Sequence, residues 1–450
     1  MNGSDGRQGH FSPGPDLVDL AAAFRSGADA PSAALERRLA RIEAVNPVLN
    51  AFLDLRIDAA RAEAAAADER WRKGAALSPI DGATFGVKAN IAVAGLPWHG
   101  GIGAYRERVA ASDADCVRIL KEAGAVAIGI LNMHEGALGA TTDNPHFGRC
   151  RNPWSLELTP GGSSGGSAAA VGAGMCVFSL GTDTMGSVRI PSAYCSIVGH
   201  KPTFNAVPTA GLMELSPTLD HVGPHATSAR ACDVVLSVLR GGKIGVDFGV
   251  RRGRMRLGVG RWGGAVDCDD AIVEEFANAT DALLSFADLV DIDLSDFAFG
   301  ALRRQGLLIS EVEGYAAHSA AMAESAKGFS KAFRDLMDWG REQSPEKVER
   351  AYAAVSSAGD EFRSRIANVD ALVLPTAPQG PFAFSSPTPS NQADFTAIAN
   401  FAGCPATAVP LTRPAGRRTP PPSVQFIARP GDDDVALSAA AAFERARDSA

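Results

Sequence analysis

Apolar residues recur along this chain in two registers. Near the start, Leu17, Leu20, Ala21 and Phe24 share one helical face, with Asp16 placed to cap the helix and Gly27 to end it. A second helical face carries Leu35, Leu39 and Ile42 and is expected to stop before Pro47. An alanine-rich third helix is expected from about Ile57 to Lys73. These three should pack as an N-terminal helical layer. Beyond Pro79 the register changes. Thr84 to Val87 reads as a strand leading into Lys88. Ser112 reads as the cap of a helix that contains Val117 and Leu120 and ends at Gly124. The unbroken apolar run Ala125 to Leu131 suits a strand covered on both faces. Strand–helix–strand alternation continues to about Leu239, which predicts a doubly wound α/β sheet.

Residues 241–263, rich in Gly and Arg, read as a loop and an edge strand. Residues 268–368 are mostly helical in pattern, an excursion suited to covering a cleft. Val369 to Pro378 reads as a strand ending in a loop, followed by a helix, two strands and a closing helix. The Pro-rich pieces at 375–389 and 410–422 look like loops within one domain. No internal repeat is visible. Residues 1–15, rich in Gly, Ser and Pro, read as a disordered tail, which leaves 16–450 as a single large domain.

Composition narrows the class. With 46% hydrophobic and 21% charged residues, the chain can fill a large core as an ordinary globular protein. Its net charge of −8 argues against a nucleic-acid or anionic-membrane surface. Seven scattered cysteines without a C-x-x-C pair argue against a disulfide framework or a zinc site, and fit reduced thiols in a cytoplasm. The first residues lack the apolar core of a signal peptide. The most apolar stretch, 167–181, is broken by glycines and too short to span a bilayer.

Candidate chemistry concentrates between Pro160 and Thr203. A glycine–serine loop, Gly161 to Ser167, runs into a small-residue segment and an apolar run, Met175 to Leu180. A second turn, Thr182 to Ser187, follows, and then Arg189. Two serine-bearing turns flanking a short helix and strand can face each other across one cleft. A flexible linker would not run straight into apolar helix formers. A phosphate loop would need a lysine that this loop lacks. Gly161 to Gly165 also fits the G-x-S-x-G elbow of α/β-hydrolases, with Ser163 as nucleophile. Asp220-His221 is the partner that such a site would use, although the chain order is wrong for that fold. His134, Glu135 and His146 lack a second ligand pair at helical spacing, so no metal site is expected there.

The stretch "GGSSGGSAAAVGAG…LGTDTMGSVRIPSAYCSIVGHKPT" resembles the signature of the amidase signature family of serine hydrolases. "GVKAN" around Lys88, "NMHEGALGATTDNPHFGRCRNPW" and "LDHVGPHATSARACDVV" support the resemblance, which covers residues 15–240 well and returns weakly after 369. It implies a mixed, mostly parallel, twisted sheet sandwiched between helical layers. It also implies a Ser-Ser-Lys triad: Ser187 as nucleophile, Ser163 as bridging serine on a cis peptide bond, Lys88 as base. The backbone N–H groups of Thr184, Met185, Gly186 and Ser187 would form the oxyanion hole, with no cofactor and no metal. A lysine is a base only when neutral; lowering its pKa by about 3 units costs about 4 kcal/mol, and burial is the expected source.

Departures from the family pattern are visible. Met185-Gly186-Ser187 stands where relatives usually have Gly-Gly-Ser, Ala89 replaces an aspartate, and His200 lies in "GHKPT". His200 reads as structural, and Asp183 and Arg189 as holding the turn. The activity implied is hydrolysis of a carbonyl C–N bond; carbamates (urethanes), ureas and esters share its tetrahedral transition state. The alternative is the glutamine-hydrolysing A subunit of a tRNA-dependent amidotransferase, and a lesser one an esterase with Ser163 as nucleophile. The partners expected are a small-molecule amide or carbamate substrate and a second copy of the chain, with no nucleic acid and no membrane.

Overall fold

Eleven strands hydrogen-bond into one mixed sheet in a computed structural model that describes residues 12–241, 254–412 and 419–449. The N-terminal layer is α1 (Leu17–Ser26) and α2 (Pro31–Leu49), then, after strand β1 (Phe52–Leu55), α3 (Ile57–Arg72). The next segment holds β2 (Thr84–Lys88), α4 (Asp115–Glu122), β3 (Val126–Leu131) and a small hairpin of β4 (Asp143–Asn144) and β5 (Gly148–Arg149). It continues with α5 (Gly165–Gly172), β6 (Phe178–Thr182), α6 (Arg189–Cys195), β7 (Val198–Lys201), β8 (Val222–Ala226) and α7 (Ala229–Leu239). Then come β9 (Met255–Arg261), α8 (Asp270–Asn278), α9 (Thr280–Leu284), β10 (Ala287–Asp293), α10 (Phe299–Glu324), α11 (Lys331–Arg341) and α12 (Pro345–Arg365). The chain closes with β11 (Ala371–Pro375), α13 (Asp394–Phe401), β12 (Ala406–Pro410), β13 (Ser423–Ile427) and α14 (Asp433–Ser449).

The strand order is β1-β3-β2-β6-β8-β7-β12-β13-β11-β9-β10. β3, β2 and β6 are parallel neighbours, so their carboxyl ends open on one side, where ligands of such sheets bind. Phe85 of β2 and Phe178 of β6 pair in register, and their rings stack at 5.1 Å. That pairing brings Lys88, the last residue of β2, to the end of the sheet where β6 finishes at Thr182.

Local chemistry explains the first helix. The Asp16 carboxylate accepts from Val18 N at 2.9 Å and Gly27 closes α1 at φ +72°, as the sequence implies. Three expectations need correction. α2 does not stop before Pro47 but runs on to Leu49, because Val45 and Leu49 are buried and the Asn46 side chain accepts the N–H groups of Ala51 and Phe52. Ser112 does not cap α4, which follows Ala114 and has no side-chain cap. β9 is not an edge strand: β10, from inside the helical region 268–368, pairs with it in parallel and takes the edge. Residues 1–11 of the expected tail and 242–253 of the expected loop lie outside the described residues. No described helix is long and apolar enough to cross a membrane.

Candidate active site

Lys88 is fully buried, and its Nζ donates to Ser163 Oγ and to Thr182 Oγ1, both at 2.7 Å. Burial lowers its pKa to about 7, against the opposing pull of Asp220 and Asp183. Half of such amines are neutral near pH 7, which an ordinary lysine cannot match.

The loop that presents Ser163 is fixed from several sides. The Gly162–Ser163 peptide bond is cis. Thr142 Oγ1 donates to Gly161 O at 2.8 Å and accepts from Gly165 N at 3.1 Å. A Cβ at Gly162 would lie 2.8 Å from the backbone of Ala140 and Thr141, so only glycine fits there. Ser164 N donates to Ser187 O at 3.3 Å, which ties this loop to the second turn. Ser164 Oγ also donates to Thr182 O at 3.1 Å.

Asp183 organises the second turn. Its carboxylate accepts from Gly186 N at 2.7 Å, Val188 N at 3.1 Å and Arg189 Nε at 3.0 Å. Arg189 is fully buried and spreads further, donating to Thr396 O at 2.9 Å, Gln425 Oε1 at 2.8 Å and Asn400 Oδ1 at 2.6 Å. Burial would raise the Asp183 carboxyl, but the Arg189 charge and hydrogen bonds outweigh it and hold it well below the usual range. Gly186 has φ +136°, and a Cβ there would lie 2.2 Å from Thr396 Oγ1.

Of the four backbone donors expected of an oxyanion hole, Gly186 N–H is already bound to Asp183. That differs from the expectation, because a carboxylate so close is the stronger acceptor. The N–H groups of Thr184, Met185 and Ser187 have no acceptor among the described residues. Between residues 159 and 202 every side is closed off from solvent except at Met185 and Ser187, which are half-buried. Ser163 is fully buried.

The rival features do not converge on Ser163. Asp220 accepts from Thr184 Oγ1 at 2.6 Å, Leu215 N at 2.8 Å and Ser216 N at 3.1 Å, and burial raises its pKa to about 6. His221 Nδ1 lies 2.7 Å from Leu219 O, and burial lowers its pKa to about 3. His146 bonds Glu135 Oε1 at 2.8 Å while His134 lies 3.3 Å from Thr141 Oγ1; no metal-holding group of three is found among the described residues. His200 sits between Thr407 Oγ1 at 2.9 Å and Asp433 Oδ1 at 3.2 Å, a structural position.

Sequence reasoning missed Thr182, Thr396, Asn400 and Gln425. Thr182 is a second acceptor for Lys88, and the other three hold Arg189. A signal exists for two of them: Thr396 and Asn400 are polar residues at i, i+4 in α13, and both are buried with the rest of that helix.

The Amidase family model matches residues 33–437. The A subunit of the glutamyl-tRNA(Gln) amidotransferase of Anaeromyxobacter dehalogenans is 33% identical, over 91% of this chain and 92% of that one. Among solved structures, one described as an amidase superposes with a TM-score of 0.88 at 29% identity, covering 96% of this chain and 99% of the other. A 6-aminohexanoate cyclic dimer hydrolase with bound substrate gives a TM-score of 0.84 at 25% identity, over 96% and 97%. The first relative corrects one expectation. A protein so similar is part of a tRNA-linked enzyme, so the net charge of −8 does not exclude a nucleic-acid partner, and the expectation of none is withdrawn.

Proposed function

The chain belongs to the amidase (amidase signature) family, and we propose that it hydrolyses a carbonyl C–N bond through an acyl-enzyme on Ser187. The observation that carries this reading is the contrast in access. Ser187 reaches solvent, whereas Ser163 is sealed with its Oγ bound to Lys88. Ser187 Oγ attacks the carbonyl carbon and gives its proton to Ser163 Oγ, whose own proton passes to neutral Lys88 Nζ. The oxyanion is held by the free N–H groups of Thr184, Met185 and Ser187, each worth about 3 to 4 kcal/mol in the transition state. The proton then returns through Ser163 to the leaving nitrogen, and the C–N bond breaks. Water enters by the same route and releases the carboxylic acid. Burial of Ser163 argues against the elbow reading, in which Ser163 itself would be acylated.

Aryl and alkyl amides are the default substrates; carbamates and esters share the tetrahedral intermediate. A second reading is favoured by the 33% identity to an amidotransferase component, namely glutamine hydrolysis within an assembly. A fluorophosphonate followed by peptide mapping tests the nucleophile: label is expected on Ser187, and label on another serine rejects the mechanism. Turnover of a panel of anilides, primary amides, carbamates and glutamine then separates the two readings. Rapid anilide hydrolysis by the isolated chain supports the amidase. Glutaminase activity with a stably co-purifying partner supports the amidotransferase reading.

A further inference from the structure

We infer that Met185 forms the wall of the acyl-binding side of the cleft and, backed by Gly306 of α10, restricts the enzyme to amides with short, apolar acyl groups. Between residues 159 and 202 only Met185 and Ser187 keep solvent access. They lie two residues apart on one turn, so the opening that leads to the Ser187 hydroxyl also passes Met185. No other residue of that stretch offers an exposed polar group. Within that stretch, apart from the Ser187 hydroxyl, the wall suits an apolar acyl chain and offers no partner to a charged one.

Met185 is fixed at both ends. Its carbonyl accepts from Thr396 Oγ1 at 2.6 Å, while its N–H stays free for the oxyanion. Its side chain crosses to α10, where a Cβ on Gly306 would lie 2.7 Å from Met185 Sδ and 2.6 Å from Phe401 Cζ. Gly306 is therefore the seat of the thioether. α10 cannot easily retreat to make room, because Arg303 on it donates to Asp394 of α13 at 2.6 Å in a buried ion pair. That pairing also satisfies each charge with the other instead of offering them to a substrate's ammonium or carboxylate.

The inference rests on Ser187 as nucleophile, so the test reads the wall apart from amide turnover. Ethyl- and decyl-chain fluorophosphonates are each reacted with the intact wild type, Met185→Gly and Met185→Leu, and the rate of labelling at Ser187 is measured by mass. The wild type should prefer the short chain. Met185→Gly should shift the long-to-short ratio about tenfold or more toward the long chain, the scale expected when an apolar pocket gains room. Met185→Leu, which keeps the bulk, should stay close to the wild type. Acetyl and hexanoyl anilides should report the same shift in kcat/KM. A ratio unchanged in Met185→Gly, with Ser187 still labelled, overturns the wall but leaves the nucleophile standing. No labelling at Ser187 in the wild type overturns the nucleophile and the wall with it. Labelling that follows the ratio without any amide turnover keeps the wall and rejects the amide reading alone.

Discussion

A lysine that bonds two hydroxyls in a dry interior has a sharp functional signature. Lys88 is fully buried, with its pKa lowered to about 7 by burial. Below that pH it is an ammonium and cannot take the proton that the proposed relay through Ser163 would deliver. kcat/KM should therefore rise about tenfold per pH unit on the acid side and level off above about 7, read from a profile between roughly pH 5.5 and 9. Lys88→Arg should be nearly as inactive as Lys88→Ala, since a guanidinium does not deprotonate in proteins. A Lys88→Arg enzyme of near wild-type rate would remove the base from the mechanism. Ser163 gives a second residue-scale expectation. Ser163→Ala should turn over poorly yet acquire a slow acyl label on Ser187, because the hydroxyl and the free backbone donors persist. If Ser187→Ala is instead acylated at Ser163, and Ser163→Ala not at all, the roles are reversed. At this scale the sequence is informative: Lys88, Ser163 and Ser187 each stand out by motif. Thr182 does not, because a threonine at a strand end carries no pattern of its own until its neighbour in the sheet is known.

Among the elements, the turn that carries Ser187 depends on parts that arrive late in the chain. Arg189 at the start of α6 bonds Thr396 and Asn400 of α13 and Gln425 of β13, more than 200 residues away. Periodicity along a sequence is local, so it announces α1, β3 and α14 but cannot announce this junction. The same limit explains β10: its exposed carboxylates, Asp288, Asp291 and Asp293, look like part of a helical region until β9 is available to pair with it. Such charges are also what protects an exposed sheet edge from other strands. The buried pair itself yields a prediction. Arg189→Met leaves the Asp183 carboxylate sealed without its counter-charge, which should cost about 3 to 5 kcal/mol and lower the urea midpoint accordingly. Adding Asp183→Asn to that variant should recover part of the loss, because the stranded charge is gone. A double variant no more stable than Arg189→Met would mean that the pair holds geometry only and that charge is not the cause.

For the whole molecule, the site is built on interior strands of the sheet, and its chemistry works against the fold. Lys88 ends β2, between β3 and β6, where no water can solvate an ammonium. Its pKa falls from the ordinary value of 10.5 to about 7 on folding. Between those values the unfolded chain binds the proton and the folded chain does not. The folded state therefore loses stability as pH falls from 10.5 toward 7, by about 1.4 kcal/mol per unit, and the loss is constant below that. Lys88→Met removes the group, and with it the pH dependence. The variant also leaves Ser163 without this donor and Thr182 with only Asn90 Nδ2 at 3.3 Å, but that cost does not change with pH, so the comparison across pH isolates the amine. The stability of Lys88→Met relative to the wild type should rise by about 3 to 4 kcal/mol between pH 10 and pH 7, while activity is lost. Urea midpoints of both proteins at pH 7, 8.5 and 10 measure it. A difference that stays the same at all three values would mean that Lys88 keeps its proton in the folded protein, and a lysine that keeps its proton cannot be the base.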